Sequence, residues 1–267
     1  MTATQPVLFL SHGSPMTALG GDELNLAWTR LAERLTRPTA ILMVSAHWNT
    51  RVPIISGSAH PETIHDFGGF PEELYALRYP APGDPGLAHR IKQRLSDAGI
   101  AAGIDASRGL DHGAWVPLRA LFPRADVPVL QLSVQPERCA RHHYALGAAL
   151  APLAGENILI IGSGHLTHNL MDYLRPSGER PAASTRAFRD WVHARLMMSS
   201  ADADDELFDW PQRAPDSRFA HPTPEHFLPL FVALGAAGKN RRTEWLGGGW
   251  VGDALAADNY LFTAAGD

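Results

Sequence analysis

Histidine closes three of the apolar runs in this chain of 267 residues. Val7-Leu8-Phe9-Leu10 leads into Ser11-His12-Gly13-Ser14-Pro15, and Ile41-Leu42-Met43-Val44 passes through Ser45-Ala46 into His47. Ile158-Leu159-Ile160-Ile161 leads into Gly162-Ser163-Gly164-His165-Leu166-Thr167-His168. Apolar runs this short, without helical periodicity, read as strands buried on both faces. Three core strands therefore deliver histidine to their C-terminal ends, the edge where open α/β sheets bind ligands. Neutral imidazole is the commonest protein metal ligand and suits zinc, iron, copper or nickel. A single histidine at a strand end is as well explained by backbone hydrogen bonds. Two at neighbouring ends, His12 and His47, each beside small residues that let a ligand approach, favour a metal site.

His226 is the third candidate ligand, in Pro222-Thr223-Pro224-Glu225-His226. Thr223 reads as an N-cap and Pro224 as a first helical residue, which places His226 in the first turn. The positive end of the helix dipole keeps an imidazole there neutral. Pro229 is expected to kink this helix. Glu225 offers a carboxylate instead, and one of the two neighbours faces the metal. His112 and His168, each in a glycine-containing loop, are the acid–base candidates, because an imidazole takes a proton from a phenol and returns it. His165, His65 and His60 are weaker candidates. His89, His142, His143 and His193 fall on helical stretches and read as solvated.

The elements that position these residues follow from pattern. Asp22 caps a helix whose apolar stripe includes Leu24, Trp28, Leu31 and Leu35 and which Pro38 closes, giving a βαβ unit with a right-handed crossover. Residues 52–55 suggest a short strand. Residues 60–85 form a long irregular segment carrying Phe67, Phe70, Tyr75 and Tyr79. Its aromatics argue against disorder, so it reads as an ordered lid, with Arg78 a candidate contact for a substrate carboxylate. Helices are expected over 87–98, 114–121, from Pro136 to Leu153, 187–198 and 223–234. Strands are expected over 127–134, 157–161, 243–245 and 259–262. Residues 199–218 are polar and aperiodic and read as a surface excursion. Without a repeat, a linker or a break in composition, residues 1–267 read as one α/β domain, a central, mostly parallel sheet flanked by helices.

Bulk composition narrows the function. With 45% hydrophobic and 19% charged residues the chain is an ordinary globular protein. A net charge of −5 without a basic block argues against nucleic acid. Cys139 is the only cysteine, which excludes an internal disulfide and a cysteine-built zinc site. No apolar stretch reaches membrane-span length, and the N-terminus lacks the basic region of a signal peptide, so a cytoplasmic location is expected.

The segments LFLSHGSPM, VSAHW, HDFGGFP with RYPAPGDP, LDHGAW and HPTPEHFLPL occur in an order that resembles the DOPA-type extradiol dioxygenases, within the LigB-like class III ring-cleavage enzymes. The resemblance runs from His12 to about residue 235. It implies a single three-layer α/β domain and a divalent metal, ferrous iron for activity or zinc as bound, at His12, His47 and His226. Better-known LigB-type members place a glutamate where this branch has His226. His168 matches a histidine regarded either as catalytic base or as a fourth metal neighbour. His112 matches a pocket histidine that touches substrate or dioxygen. The implied reaction opens a small aromatic diol with dioxygen outside the diol. A zinc hydrolase with a three-histidine site and a non-enzymatic binding protein on the same scaffold are the alternatives. Oligomeric state, the natural catechol and the cleavage position are not legible.

Overall fold

The computed structural model describes residues 4–174, 181–252 and 254–265. Ten strands are found among them: β1 (Val7–Ser11), β2 (Ala40–Asn49), β3 (Ile54–Ser56), β4 (Gly103–Asp105), β5 (Val129–Val134), β6 (Ile158–Gly164), β7 (Arg241–Trp245), β8 (Trp250–Val251), β9 (Leu255–Ala256) and β10 (Tyr260–Ala264). Eight form one sheet in the order β4-β3-β5-β2-β6-β1-β10-β7. The central ladders β5-β2, β2-β6 and β6-β1 are parallel, whereas β10 runs antiparallel to β1 and to β7.

The central strands alternate their side chains between two cores, as a period of two requires. Val7, Phe9, Leu42, Val44, Leu130 and Ile160 face one side. There they meet the helices Pro85–Asp97, Ala140–Leu150 and Leu228–Ala237. Leu8, Leu10, Ile41, Met43, Leu159 and Ile161 face the other, against the helices Glu23–Ala32 and His112–Leu121. This is the expected single α/β domain with a mostly parallel sheet between helical layers. Asp22 caps its helix as expected, accepting the Asn25 N–H at 2.7 Å.

Several expectations need correction. The last core helix begins at Leu228, not Thr223, and residues 223–227 form a turn in which Pro224 accepts the N–H of Phe227. Pro229 therefore lies in the first helical turn, where its missing N–H costs nothing, and introduces no kink. The helix expected from Pro136 starts at Ala140. Residues 199–218 are not an excursion: they hold the helices Ala201–Phe208, Trp210–Arg213 and Ser217–Ala220, with Ala203, Leu207 and Trp210 buried. His143 is fully buried rather than solvated, with Nδ1 3.0 Å from the Cys139 carbonyl and Nε2 accepting the Gln135 N–H at 3.1 Å. The 60–85 segment is ordered, with a helix at Glu72–Ala76 and Leu74 and Tyr79 buried. Tyr79 donates to the Phe122 carbonyl and Trp115 to that of Ile64.

Candidate metal centre

His12 is the first residue after β1, and its N–H donates to the Gly164 carbonyl at the end of β6. Gly13 then turns the chain with φ +69°, where a Cβ would sit 2.7 Å from Thr17 Oγ1. His47 lies inside β2, beyond Val44, at the point where register with β5 breaks. Such a break re-aims side chains at a sheet edge. His226 sits in the turn before the last core helix, tied to β6 by its carbonyl, which accepts the His165 N–H at 2.9 Å. A Cβ on Gly164 would stand 2.0 Å from that carbonyl oxygen, so glycine is required for the close approach.

The three rings converge. Nε2 of His47 lies 3.1 Å from Nε2 of His12 and 3.3 Å from Nε2 of His226. Each Nδ1 faces outward to its own support. His12 Nδ1 is 3.1 Å from Ser163 Oγ, whose own hydrogen is committed to the Gly113 carbonyl, so Ser163 accepts from His12. His226 Nδ1 is 3.2 Å from Glu225 Oε1, and His47 Nδ1 is 3.6 Å from Asp66 Oδ2. Ser163 and Glu225 accept from the two Nδ1 atoms within reach, which leaves Nε2 of His12 and of His226 as lone pairs facing His47 Nε2; Asp66, 3.6 Å from His47 Nδ1, lies beyond hydrogen-bond distance. Burial, with the neighbouring imidazoles adding to it, holds His12 and His226 well below the ordinary imidazole pKa and His47 at about 4, so all three rings are neutral at neutral pH. Facing lone pairs of neutral imidazoles suit a divalent cation of the zinc or iron type.

His112 opens its helix against this cluster, with ring centroids 3.9 Å from His47 and 5.4 Å from His12. Gly113 allows that contact, since a Cβ there would meet Ser45 Oγ at 2.5 Å and His47 Cδ2 at 3.1 Å. Asp111, just before His112, accepts from Ser45, Arg108 and Gln131 and so ties the helix start to β2 and β5. On the other side His168 stacks on His226, centroids 3.4 Å apart and 7° from parallel. His168 groups with Glu225 and His226, not with the converging His12, His47 and His226.

One profile for the catalytic LigB subunit of aromatic ring-opening dioxygenases matches residues 6–263. The chain belongs to the LigB family. It is 43% identical over 260 residues to a 4,5-DOPA dioxygenase extradiol from Beta vulgaris, covering 96% of each chain. A protein of that name from Escherichia coli K12 is 39% identical, with 88% of this chain and 87% of its own covered. The crystal structure of an uncharacterized E. coli K12 protein superposes with a TM-score of 0.81 at 32% identity, covering 96% of this chain and 99% of the other. The LigB chain described here is thus an oxidoreductase of the ring-opening dioxygenase class.

Of the residues singled out in the sequence, five meet at this LigB site: His12, His47, His226, His112 and His168. Glu225 does not replace His226 at the convergence but stands behind it. Arg78 turns its guanidinium back onto the Tyr75 and Leu77 carbonyls of the lid. His165 is buried behind the centre, near the Gly13 carbonyl at 3.1 Å, and burial lowers it to about 4. Asp66 was not singled out. It lies within the HDFGGFP segment, and only the chain's return across the sheet edge brings it to His47 and His112. A cleft of about 870 Å³ opens on the same edge beside β1, walled by Ser14, Tyr173 and Trp250, and none of these histidines lines it. No described helix is long and apolar enough to cross a membrane.

Proposed function

We propose that this chain opens the ring of a catechol-type diol with dioxygen, at one divalent metal held by His12, His47 and His226. The observation that carries this reading is the meeting of three imidazole nitrogens, flanked by two further histidines, in a LigB-family chain. Ferrous iron bound there supplies the electron transfer and open coordination that ring opening needs, and zinc, which has no redox chemistry, does not. We assign zinc to an inactive form of the same site. The names of the relatives favour a DOPA-like substrate, and a cytoplasmic setting, reducing toward thiols, suits ferrous iron.

The chain's own residues supply orientation and proton transfer. Burial keeps His168 neutral before the diol binds, so its ring has a free lone pair, and we assign it the acceptance of the second phenolic proton once the charge of the bound diol beside it raises its basicity. Stacking on His226 keeps its ring beside the centre. To His112, across the cluster, we assign the contact with substrate and oxygen. Phe67, 5.7 Å edge-on from His112, offers a planar ring an apolar wall and, with Phe70 and Tyr75, excludes water.

The test is oxygen uptake by protein stripped of metal and reloaded anaerobically with ferrous iron. Catechol, DOPA, protocatechuate and gallate make the panel. Uptake with a new visible absorbance is expected for at least one of them, and its loss in His168→Ala. No uptake with any member, together with ester hydrolysis by the zinc form, would replace this reading with a zinc hydrolase.

A further inference from the structure

We propose that Asp66 is a positioning residue that aligns two histidines at once, one of its oxygens toward His112 and the other toward His47. This rests on the reading of His12, His47 and His226 as metal-binding, and not on ring cleavage itself. Oδ1 accepts the backbone N–H of His112 at 2.9 Å and lies 3.0 Å from His112 Nδ1, off the ideal hydrogen-bond line. Oδ2 lies 3.6 Å from His47 Nδ1. No lysine or arginine forms an ion pair with Asp66 among the described residues. Ser163 and Glu225 each support one ring, His12 and His226 respectively. Asp66 lies between a candidate ligand, His47, and the pocket histidine His112, as Glu225 lies between His226 and His168.

The chemistry of a carboxylate says what this does. A carboxylate at neutral pH is an acceptor only, so a ring nitrogen that bonds to it carries the proton. Both Nδ1 atoms are then protonated, and both Nε2 atoms present lone pairs toward the centre. His47 is left able to bind a cation and His112 able to accept a hydrogen bond there. Without Asp66 either ring is free to adopt the other tautomer, which places a hydrogen where the lone pair is needed. Asp66 also directs the lid, because Phe67 is its neighbour and packs edge-on to His112.

The experiment uses the full chain with zinc as the probe. Zinc affinity is measured by chelator competition in wild type, Asp66→Asn and Asp66→Ala, and histidine tautomers by long-range nitrogen–proton NMR. Wild type is expected to bind zinc and to show His112 protonated on Nδ1. Asn keeps the shape of Asp but offers one accepting atom and one donating group, so it cannot serve two ring N–H groups. Zinc affinity is expected to fall about tenfold to a hundredfold in Asp66→Asn, with His112 redistributed toward the Nε2–H tautomer. A merely structural aspartate would change the melting temperature and leave the tautomer in place. Unchanged affinity in Asp66→Asn, or His112 protonated on Nε2 in wild type, overturns the assignment while the metal reading stands. Failure of wild type to bind zinc or ferrous iron overturns both. Should Asp66→Ala fail to fold, the isosteric Asn variant and the wild-type tautomer still decide.

Discussion

At the residue scale the centre works through which nitrogen of each ring carries its proton. A serine hydroxyl and a carboxylate leave the Nε2 lone pairs of His12 and His226 within 3.3 Å of His47 Nε2, and a second carboxylate, Asp66, stands 3.6 Å behind His47. This separates holding the metal from moving protons. On the proposed ligand set, truncating one residue removes a third of the donors, so His47→Ala is expected to lose metal affinity by more than about a hundredfold, beyond the range seen when only supporting groups are removed. His168→Ala is expected to retain the metal within severalfold and to lose turnover. Metal content after dialysis against a weak chelator, with oxygen uptake on the same samples, checks both. Loss of metal in His168→Ala would make His168 a fourth ligand. His12, His47 and His168 were legible in the sequence because each follows an apolar run, and His226 because it follows Thr223-Pro224. Asp66 was not, since an aspartate in an irregular segment has no periodicity to mark its partners.

At the element scale, what positions His226 is the contact between a turn and a strand. Gly164 at the end of β6 lies directly under the His226 carbonyl, and Gly162 lies under that of Pro229, where a Cβ would come within 2.4 Å. Gly147 and Gly235 give the helices Ala140–Leu150 and Leu228–Ala237 the same kind of close approach, since a Cβ on either would stand 2.0 Å from a carbonyl oxygen across the interface. Gly164→Ala must displace the His226 turn. It is expected to cost about 1–3 kcal/mol of stability and to weaken metal binding more than tenfold, as read by thermal melting and chelator competition. Unaltered metal affinity would mean that β6 does not set His226. The strands were legible from their apolar runs. The start of the last helix was not, because Thr223-Pro224 reads as a cap while the chain uses it for a turn and begins the helix five residues later. The helices between 201 and 220 were missed because pieces of four to eight residues are too short to display a 3.6-residue period.

At the scale of the whole molecule, one sheet carries the site at the C-terminal edge of its parallel centre and seals both flanks with antiparallel strands. Its interior also contains imidazoles that must stay neutral. Burial lowers His143 to about 4 and His221 to about 3, and neutral His143 both donates, from Nδ1, and accepts, at Nε2. Both folded-state values lie below the unfolded value of 6.5, so the unfolded chain takes up protons first as pH falls. Their contribution is complete above pH 6.5 and is lost progressively toward pH 4 and below. For His143 alone the loss amounts to about 3 kcal/mol, at about 1.4 kcal/mol per unit. Urea unfolding of metal-free protein is therefore expected to show stability falling from pH 7 to pH 4, with a shallower fall in His143→Gln. Equal slopes in the two proteins would contradict this.

The reaction itself is tested most directly by isotopically heavy dioxygen. Iron-loaded protein is given DOPA, and the ring-opened product is reduced at once so that its aldehyde oxygen cannot exchange with water. Extradiol ring opening predicts that both heavy oxygen atoms enter each product molecule, raising its mass by four units. A product of unshifted mass, or one carrying a single heavy atom, would contradict dioxygenase chemistry at this histidine centre.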